Sequence, residues 1–312
     1  MRILVTGASG LVGRNIVEKL APLFELFTPG LDEFNLLNYE MVHGYIGSLN
    51  PDLIIHCAGL VGGIQANVER PVQFLIENFE LGKNVIIAAH SNDVRRILNL
   101  GSSCMYPRNA PNPLREETIL TGELEPTNEG YAIAKIAVQR LCAYVNRQYP
   151  GFQYKTLIPC NLYGRWDKFD PKEAHLIPAA IRKVHEAMQN GKDCVEIWGT
   201  GKARREFMYA GDLGDFIALV IDRFTELPET MNVGLGYDYE IDEYYQSIAS
   251  VLGFRGRFEH DLSKPEGMKQ KVVDISLLRR FGWAPKVRLE EGIRYTYKFY
   301  LDHFGGKQRY ST

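Results

Sequence analysis

The sequence predicts an α/β protein: a doubly wound parallel (Rossmann-type) sheet with a smaller C-terminal α/β domain. Three observations carry this. Short β-rich runs alternate with helical-period segments through the first half. A glycine-rich turn joins the first such run to the first helix. The alternation stops near residue 160, and shorter elements with turn-rich joints follow.

Taken in order, the strand candidates are Arg2–Thr6, Leu23–Thr28, Leu53–Ala58, Arg96–Leu100 and Lys155–Pro159, all rich in branched and aromatic residues. Helices are expected near Gly13–Leu20, Pro71–Ser91 and Gly130–Tyr149. Right-handed crossovers wind such units into a sheet covered on both faces. This assigns residues 1–160 to a nucleotide-binding domain and residues 161–312 mainly to a second domain. The chain is expected to return to the first sheet near 203–235, with Met231–Val233 as a late strand.

Composition narrows the function classes. The 312 residues are 45% hydrophobic and 24% charged with net charge −2, so neither disorder nor a nucleic-acid partner is indicated. The cysteines Cys57, Cys104, Cys142, Cys160 and Cys194 are odd in number, and none forms a Cys-x-x-Cys pair. No histidine cluster accompanies them, so neither a disulfide framework nor a metal site is expected. A strand-like run begins at residue 1, and no apolar stretch approaches the ~20 residues of a membrane span. A soluble, cytoplasmic protein without a membrane partner is expected.

The turn Thr6-Gly7-Ala-Ser-Gly10-Leu-Val-Gly13 lies between a strand and a helix. Glycines there permit a tight turn and let a pyrophosphate approach the free N–H groups at the helix start. The second strand should end near Thr28-Pro-Gly30, where the adenosine ribose is read. No Lys or Arg occurs between Lys19 and Arg70, and Asp32 lies beyond the expected strand end. These residues do not choose between NAD and NADP.

Tyr131 and Lys135 fall four residues apart, on one helix face. A free phenol has a pKa of about 10, and a nearby cation brings it toward the working range. Ser102, in Gly101-Ser-Ser-Cys-Met-Tyr-Pro107, follows a strand at the sheet edge where such folds bind ligands. Together with the glycine turn, these residues resemble the extended short-chain dehydrogenase/reductase superfamily.

The resemblance sharpens in longer runs: residues 101–107, Leu-Glu-Pro-Thr-Asn-Glu-Gly-Tyr-Ala-Ile-Ala-Lys at 124–135, Asn-Leu-Tyr-Gly at 161–164, His-Leu-Ile-Pro at 175–178, Trp-Gly-Thr-Gly-Lys-Ala-Arg-Arg-Glu-Phe at 198–207 and Val-Gly-Gly-Ile at 61–64. These are similar to the GDP-L-fucose synthase family, epimerase–reductases of GDP-4-keto-6-deoxy-mannose. The resemblance implies a reductive triad of Ser102, Tyr131 and Lys135, with Cys104 as base and His175 as acid for inversion at C3 and C5. It implies cofactor contacts from Gly7, Ser9, Gly10, Leu11, Val12 and Gly13, from Ala58 and Asn78, and from Tyr131, Lys135, Pro159, Asn161, Leu162 and His175. The sugar nucleotide would meet Ser103, Asn161, Lys183, Trp198, Arg205 and Lys271, the last beside Ser263-Lys-Pro-Glu-Gly267. NADP is the family's cofactor, NAD is not excluded, and a homodimer through the helices near 71–91 and 130–149 is implied.

The chain departs from the family pattern at Ala8-Ser9, at Gly30-Leu31 and at Gly164-Arg-Trp-Asp-Lys-Phe169. The resemblance implies that the last run borders the sugar site, which leaves a GDP-linked heptose or another 6-deoxyhexose open, as well as reduction at C4 alone. A UDP-sugar 4-epimerase leaves Cys104 and His175 without a task. A 4,6-dehydratase requires an acidic pair where Ser103-Cys104 stands. A non-catalytic dinucleotide sensor has no need of the Tyr131–Lys135 pair.

Overall fold

In a computed structural model, residues 1–171, 173–264 and 268–305 are described. Chain order begins with β1 (Arg2–Thr6), α1 (Leu11–Leu20), β2 (Glu25–Phe27), α2 (Tyr39–Leu49) and β3 (Leu53–His56). Next come α3 (Ile64–Glu69), α4 (Pro71–Ser91), β4 (Arg96–Leu100), α5 (Glu129–Gln148) and β5 (Gln153–Pro159). β6 (Asn161–Tyr163), α6 (Leu176–Gln189), β7 (Cys194–Trp198), β8 (Arg204–Arg205) and β9 (Phe207–Tyr209) precede α7 (Ala210–Asp222) and β10 (Thr230–Val233). The described chain ends with β11 (Tyr239–Glu240), α8 (Ile241–Leu252), β12 (Arg257–Asp261), β13 (Gln270–Lys271), α9 (Ser276–Phe281) and α10 (Leu289–His303).

Six strands form one sheet in the order β10-β5-β4-β3-β1-β2, and every pairing in it is parallel. The chain leaves β1 for β2 and returns to β3 on the other side of β1. That reversal opens a crevice at the carboxyl ends of β1 and β3, where sheets of this kind take ligands. Successive residues of β1 alternate between two cores: Ile3 and Val5 pack with α1, α7 and α9, whereas Leu4 packs with α2, α4 and α5. A two-residue period is what a strand buried on both faces requires.

The expected helices and strands are present with ends shifted by one or two residues. Leu23 and Phe24 close the turn after α1, by hydrogen bonds to Leu20 O, and so stay outside β2. Helix α2 was not anticipated from sequence, because Gly44 and Gly47 interrupt it. It forms because Val42, Ile46 and Leu49 share one buried face. Asn38 also caps its start, accepting the Met41 N–H at 3.2 Å. Residues Met231–Val233 lie in β10, beside β5.

A third core gathers α6, α8 and α10 over Tyr163, Ile197, Phe207 and Tyr209. The small sheets there are β11-β8-β13, β12-β7 and β6-β9. Glu206, only 1% exposed, stands between β8 and β9 and ties them to the rest. Its carboxylate accepts N–H groups of Leu235 at 2.5 Å, Gly236 at 2.8 Å and Val273 at 2.8 Å. Burial pushes its pKa up to about 7, against the pull of those three donors. The exit of β10 and the segment after β13 are therefore held by one side chain.

Removing it strands three buried donors. Glu206→Ala should lower stability by at least about 3 kcal/mol, and Glu206→Gln by less, because the amide oxygen still accepts. Chemical denaturation midpoints of the two variants check this ordering.

Candidate active site

The nucleotide end of the crevice is built by the turn after β1. Gly7 has φ +65°, and a β-carbon there would stand 2.6 Å from Ala58 Cα. A β-carbon on Gly13 would overlap the Gly7 carbonyl. Only glycine fits either place, so the turn lies directly against the Ala58 backbone and the start of α1. Gly10, the N-cap, offers no side-chain bond, which leaves the first-turn N–H groups of Leu11, Val12 and Gly13 for an anion. Thr6 Oγ1 holds Ala58 in place, accepting its N–H at 3.3 Å while paired with His56 Nδ1 at 2.8 Å. Burial pushes the His56 imidazole down to about 3, so it stays neutral. This cradle fits a dinucleotide pyrophosphate.

Lys135 lies deeper, only 7% exposed. Its Nζ donates to Leu100 O, the last carbonyl of β4, at 3.0 Å. A β-carbon built on Gly59 would stand 3.5 Å from that ammonium and 3.1 Å from Asn78 Oδ1. Asn78 braces the same loop, accepting the Leu60 N–H at 2.9 Å and donating to Leu60 O at 3.1 Å. The strand-end loops after β3 and β4 thus converge on one ammonium.

Tyr131 stands one turn before Lys135, whose Nζ is 5.8 Å from the ring centroid. Burial pushes the phenol well above its ordinary pKa, the Cys104 thiol adds to this, and the Ser102 hydroxyl pulls back. Lys135, engaged with Leu100, does not reverse that shift, and the phenol is held protonated at neutral pH. Ser102 caps the short turn that follows β4, its Oγ accepting the Cys104 N–H at 3.4 Å. Two residues further on, Tyr106 Oη donates to Asn232 Oδ1 of β10 at 2.6 Å and fixes the loop to the sheet. Ser103 and Cys104 are both buried within it.

The other wall comes from the second half. His175 is the N-cap of α6, and burial lowers its pKa with help from the Lys168 and Lys271 ammonium groups. Lys271 sits on β13, in register with Arg205 of β8. Asn161 opens β6 just beyond Pro159, its Nδ2 donating to Glu206 O at 2.9 Å, and Leu162 is buried behind it.

Lys183 and Trp198 lie farther out. Eight residues along α6 place Lys183 about 12 Å from His175. Its Nζ lies 5.2 Å from the Trp198 ring centroid, and Lys264 Nζ lies 5.4 Å from the same ring. The indole is 50% exposed, leaving an aromatic surface flanked by two cations for a ligand. Lys264 was not singled out from sequence, although it lies in the 263–267 run; Pro265, Glu266 and Gly267 of that run fall outside the described residues. Glu206 was missed too, since nothing local marks a glutamate that serves distant backbone.

The departures from the family pattern near 164–169 form a clasp onto α1. Trp166 Nε1 donates to Glu18 Oε1 at 3.1 Å, Arg165 pairs with Glu18, and Arg14 lies over the Trp166 ring at 4.5 Å.

Fold and site together define a nicotinamide-dependent oxidoreductase with epimerase relatives. A family description matches residues 3–234, and the chain belongs to the NAD dependent epimerase/dehydratase family. The chain is 53% identical to GDP-L-colitose synthase of Yersinia pseudotuberculosis, over 97% of this chain and 98% of that one. It is 45% identical to GDP-L-fucose synthase of Azorhizobium caulinodans, over 96% of each chain. A solved structure of a GDP-mannoheptose C4 reductase from Campylobacter jejuni with NADP bound superposes with a TM-score of 0.86 at 32% identity, covering 96% of this chain and 98% of that one.

The glycine turn yields a direct prediction. Gly13→Ala forces the helix start away from the turn, costing about 1–3 kcal/mol of stability, and should weaken dinucleotide binding by about fivefold or more. Fluorescence titration with NADPH and NADH reads it.

Proposed function

We propose that the chain is an NADPH-dependent epimerase–reductase of a GDP-linked 4-keto-6-deoxy-mannose-like sugar, forming GDP-L-fucose or a close analogue such as the colitose derivative for which one relative is named. The observation that supports this most is the gathering of Ser102, Cys104, Tyr131 and Lys135 at the carboxyl end of β4. Tyr131, Ser102 and Lys135 suit carbonyl reduction. Cys104 and His175 suit proton removal and return beside a ketone.

A 4-keto group acidifies the neighbouring C–H bonds. The Cys104 thiolate takes the proton, the C–H electron pair passes into an enolate, and His175 returns a proton from the other face. The turn after β4 holds the ketone oxygen against Ser102. Reduced nicotinamide, when bound, supplies the hydride that reaches C4. Tyr131, kept protonated by burial, then gives its proton to O4 as that carbonyl becomes an alcohol. Lys135 would hold the nicotinamide ribose. The dinucleotide would lie along Gly7, Ser9, Gly10, Leu11, Val12 and Gly13, and past Ala58, Asn78, Pro159, Asn161, Leu162 and His175. Ser103, Asn161 and Lys271 would meet the sugar, while Arg205, Lys183 and Trp198 would meet the pyrophosphate and base.

NADP is favoured by the bound cofactor of the heptose reductase. In this reading residues 1–160, rejoined near 203–235, carry the cofactor, and residues 161–312 mainly carry the sugar nucleotide. Among the described residues no helix is long and apolar enough to cross a membrane, and all five cysteines are free, which supports a reducing, cytoplasmic setting. A homodimer through α4 and α5 is supported by exposed Val72, Ile76 and Ile133. Phe74, Val85 and Ile86 face the core instead. A second reading, reduction at C4 alone, is favoured by the name of the GDP-mannoheptose C4 reductase.

The test is cofactor oxidation with GDP-4-keto-6-deoxy-mannose. Turnover with NADPH exceeding that with NADH is expected, and no turnover with either contradicts the proposal. Tyr131→Phe should reduce kcat by at least about 10²-fold while leaving NADPH binding largely intact; a variant with normal kcat removes Tyr131 from the reaction.

A further inference from the structure

The peptide that joins Ser9 to Gly10 leads into the N-cap of α1, and both of its ends are held. Its N–H, on Gly10, donates to Gly7 O at 3.1 Å. Its carbonyl, on Ser9, accepts the Arg14 Nε–H at 3.1 Å. Arg14 lies in the first turn of α1, so this second bond closes the glycine turn onto the helix it feeds. A turn closed at both ends presents the N–H groups of Leu11, Val12 and Gly13 in one arrangement.

An exposed arginine has many rotamers, and one bond does not fix it. Trp166, from the second half of the chain, supplies the rest: its ring centroid lies 4.5 Å from Arg14 Cζ, within cation–π range. The indole is itself held by α1. Its Nε1 donates to Glu18 Oε1 at 3.1 Å, and Glu18 also pairs with the neighbouring Arg165. Asn15, 1% exposed, donates through Nδ2 to Leu11 O at 2.8 Å and to Arg165 O at 3.2 Å. From α10, Phe299 and His303 meet the indole with ring centroids 4.8 and 5.9 Å away. Trp166 has φ +73°, a left-handed conformation that bulky side chains rarely adopt, and these contacts from α1 and α10 keep it there. Arg14 thus joins two stretches at which the chain departs from the family pattern, Ala8-Ser9 and residues 164–169.

We propose that Trp166 is a positioning residue for the dinucleotide. Through Arg14 it holds the Ser9 carbonyl and keeps the anion-binding turn in its binding shape before the cofactor arrives. The inference rests on the reading of that turn as the pyrophosphate cradle and adds to it a residue that does not line the cradle. A turn already ordered spares the cofactor the entropy of ordering it. The gain falls on the pyrophosphate, which NADPH and NADH share, and not on the ribose 2′-phosphate.

The test is isothermal titration calorimetry of the substrate-free protein with NADPH and with NADH. Trp166→Leu keeps an apolar side chain against Phe299 and removes the ring over which Arg14 lies. Arg14→Met keeps the length of the side chain and removes the Nε–H. Each should raise Kd for both dinucleotides by about two- to fivefold, and the double variant should bind no more weakly than the weaker of the two. Trp166→Phe, which keeps a ring, should recover most of the affinity. Circular dichroism confirms folding, and Trp166→Met takes the place of the leucine variant if that one does not fold. Unchanged Kd in Trp166→Leu overturns the proposal, even if the thermal midpoint falls, because the clasp is then only structural. A loss confined to NADPH overturns it as well, since Arg14 is then a contact of the 2′-phosphate. Effects that multiply in the double variant also overturn it, because Trp166 then acts by a route other than Arg14. The underlying reading is checked separately: if the unaltered protein binds neither dinucleotide, the pyrophosphate cradle itself is refuted, and the inference with it.

Discussion

Lys135 brings an ammonium to the carboxyl edge of the parallel sheet, almost out of contact with water, and the arrangement around it follows from that burial. A charge so placed needs acceptors, and the Leu100 carbonyl at 3.0 Å is the one the fold supplies. Meeting it fixes the rotation of α5 about its axis, which sets Tyr131 one turn away over the loop that carries Ser102 and Cys104. The Gly59 backbone and the Asn78 side chain close the other side. Two strand ends and two helices are thereby brought to one point.

Opposite stands a wall built from pieces far apart in the chain. β6, β8, β9 and β13 are each two or three residues long, too short to hold themselves together. Glu206 does this with three backbone hydrogen bonds, and the third core packs behind them. The clasp of Arg165, Trp166 and Glu18 ties this wall to α1, the helix proposed to receive the dinucleotide pyrophosphate. The proposed cofactor and sugar subsites are thus parts of one continuous set of contacts.

Much of the first half was legible in the sequence, because its signals are local. The glycine turn, the two-residue alternation of Ile3, Leu4 and Val5, and the four-residue spacing of Tyr131 and Lys135 each lie within a few residues. Helix α2 escaped notice because Gly44 and Gly47 mask a face whose value appears only once Val42, Ile46 and Leu49 are packed. In the second half the register of β13 against β8 carries no local mark, so the placement of Lys271 beside Arg205 required the fold. The effect of Lys135 on Tyr131 was also read differently: the spacing suggested a cation lowering the phenol's pKa, whereas burial dominates and the phenol stays a proton donor.

The central claim is that one pocket performs both proton exchange beside the ketone and hydride addition to it. The most direct measurement is turnover of GDP-4-keto-6-deoxy-mannose with NADPH in deuterated water, followed by the proton and mass spectra of the product. The account predicts solvent deuterium at C3 and C5, and cofactor-derived hydrogen at C4. Cofactor oxidation with no solvent deuterium in the product would contradict it and leave a reductase acting at C4 alone.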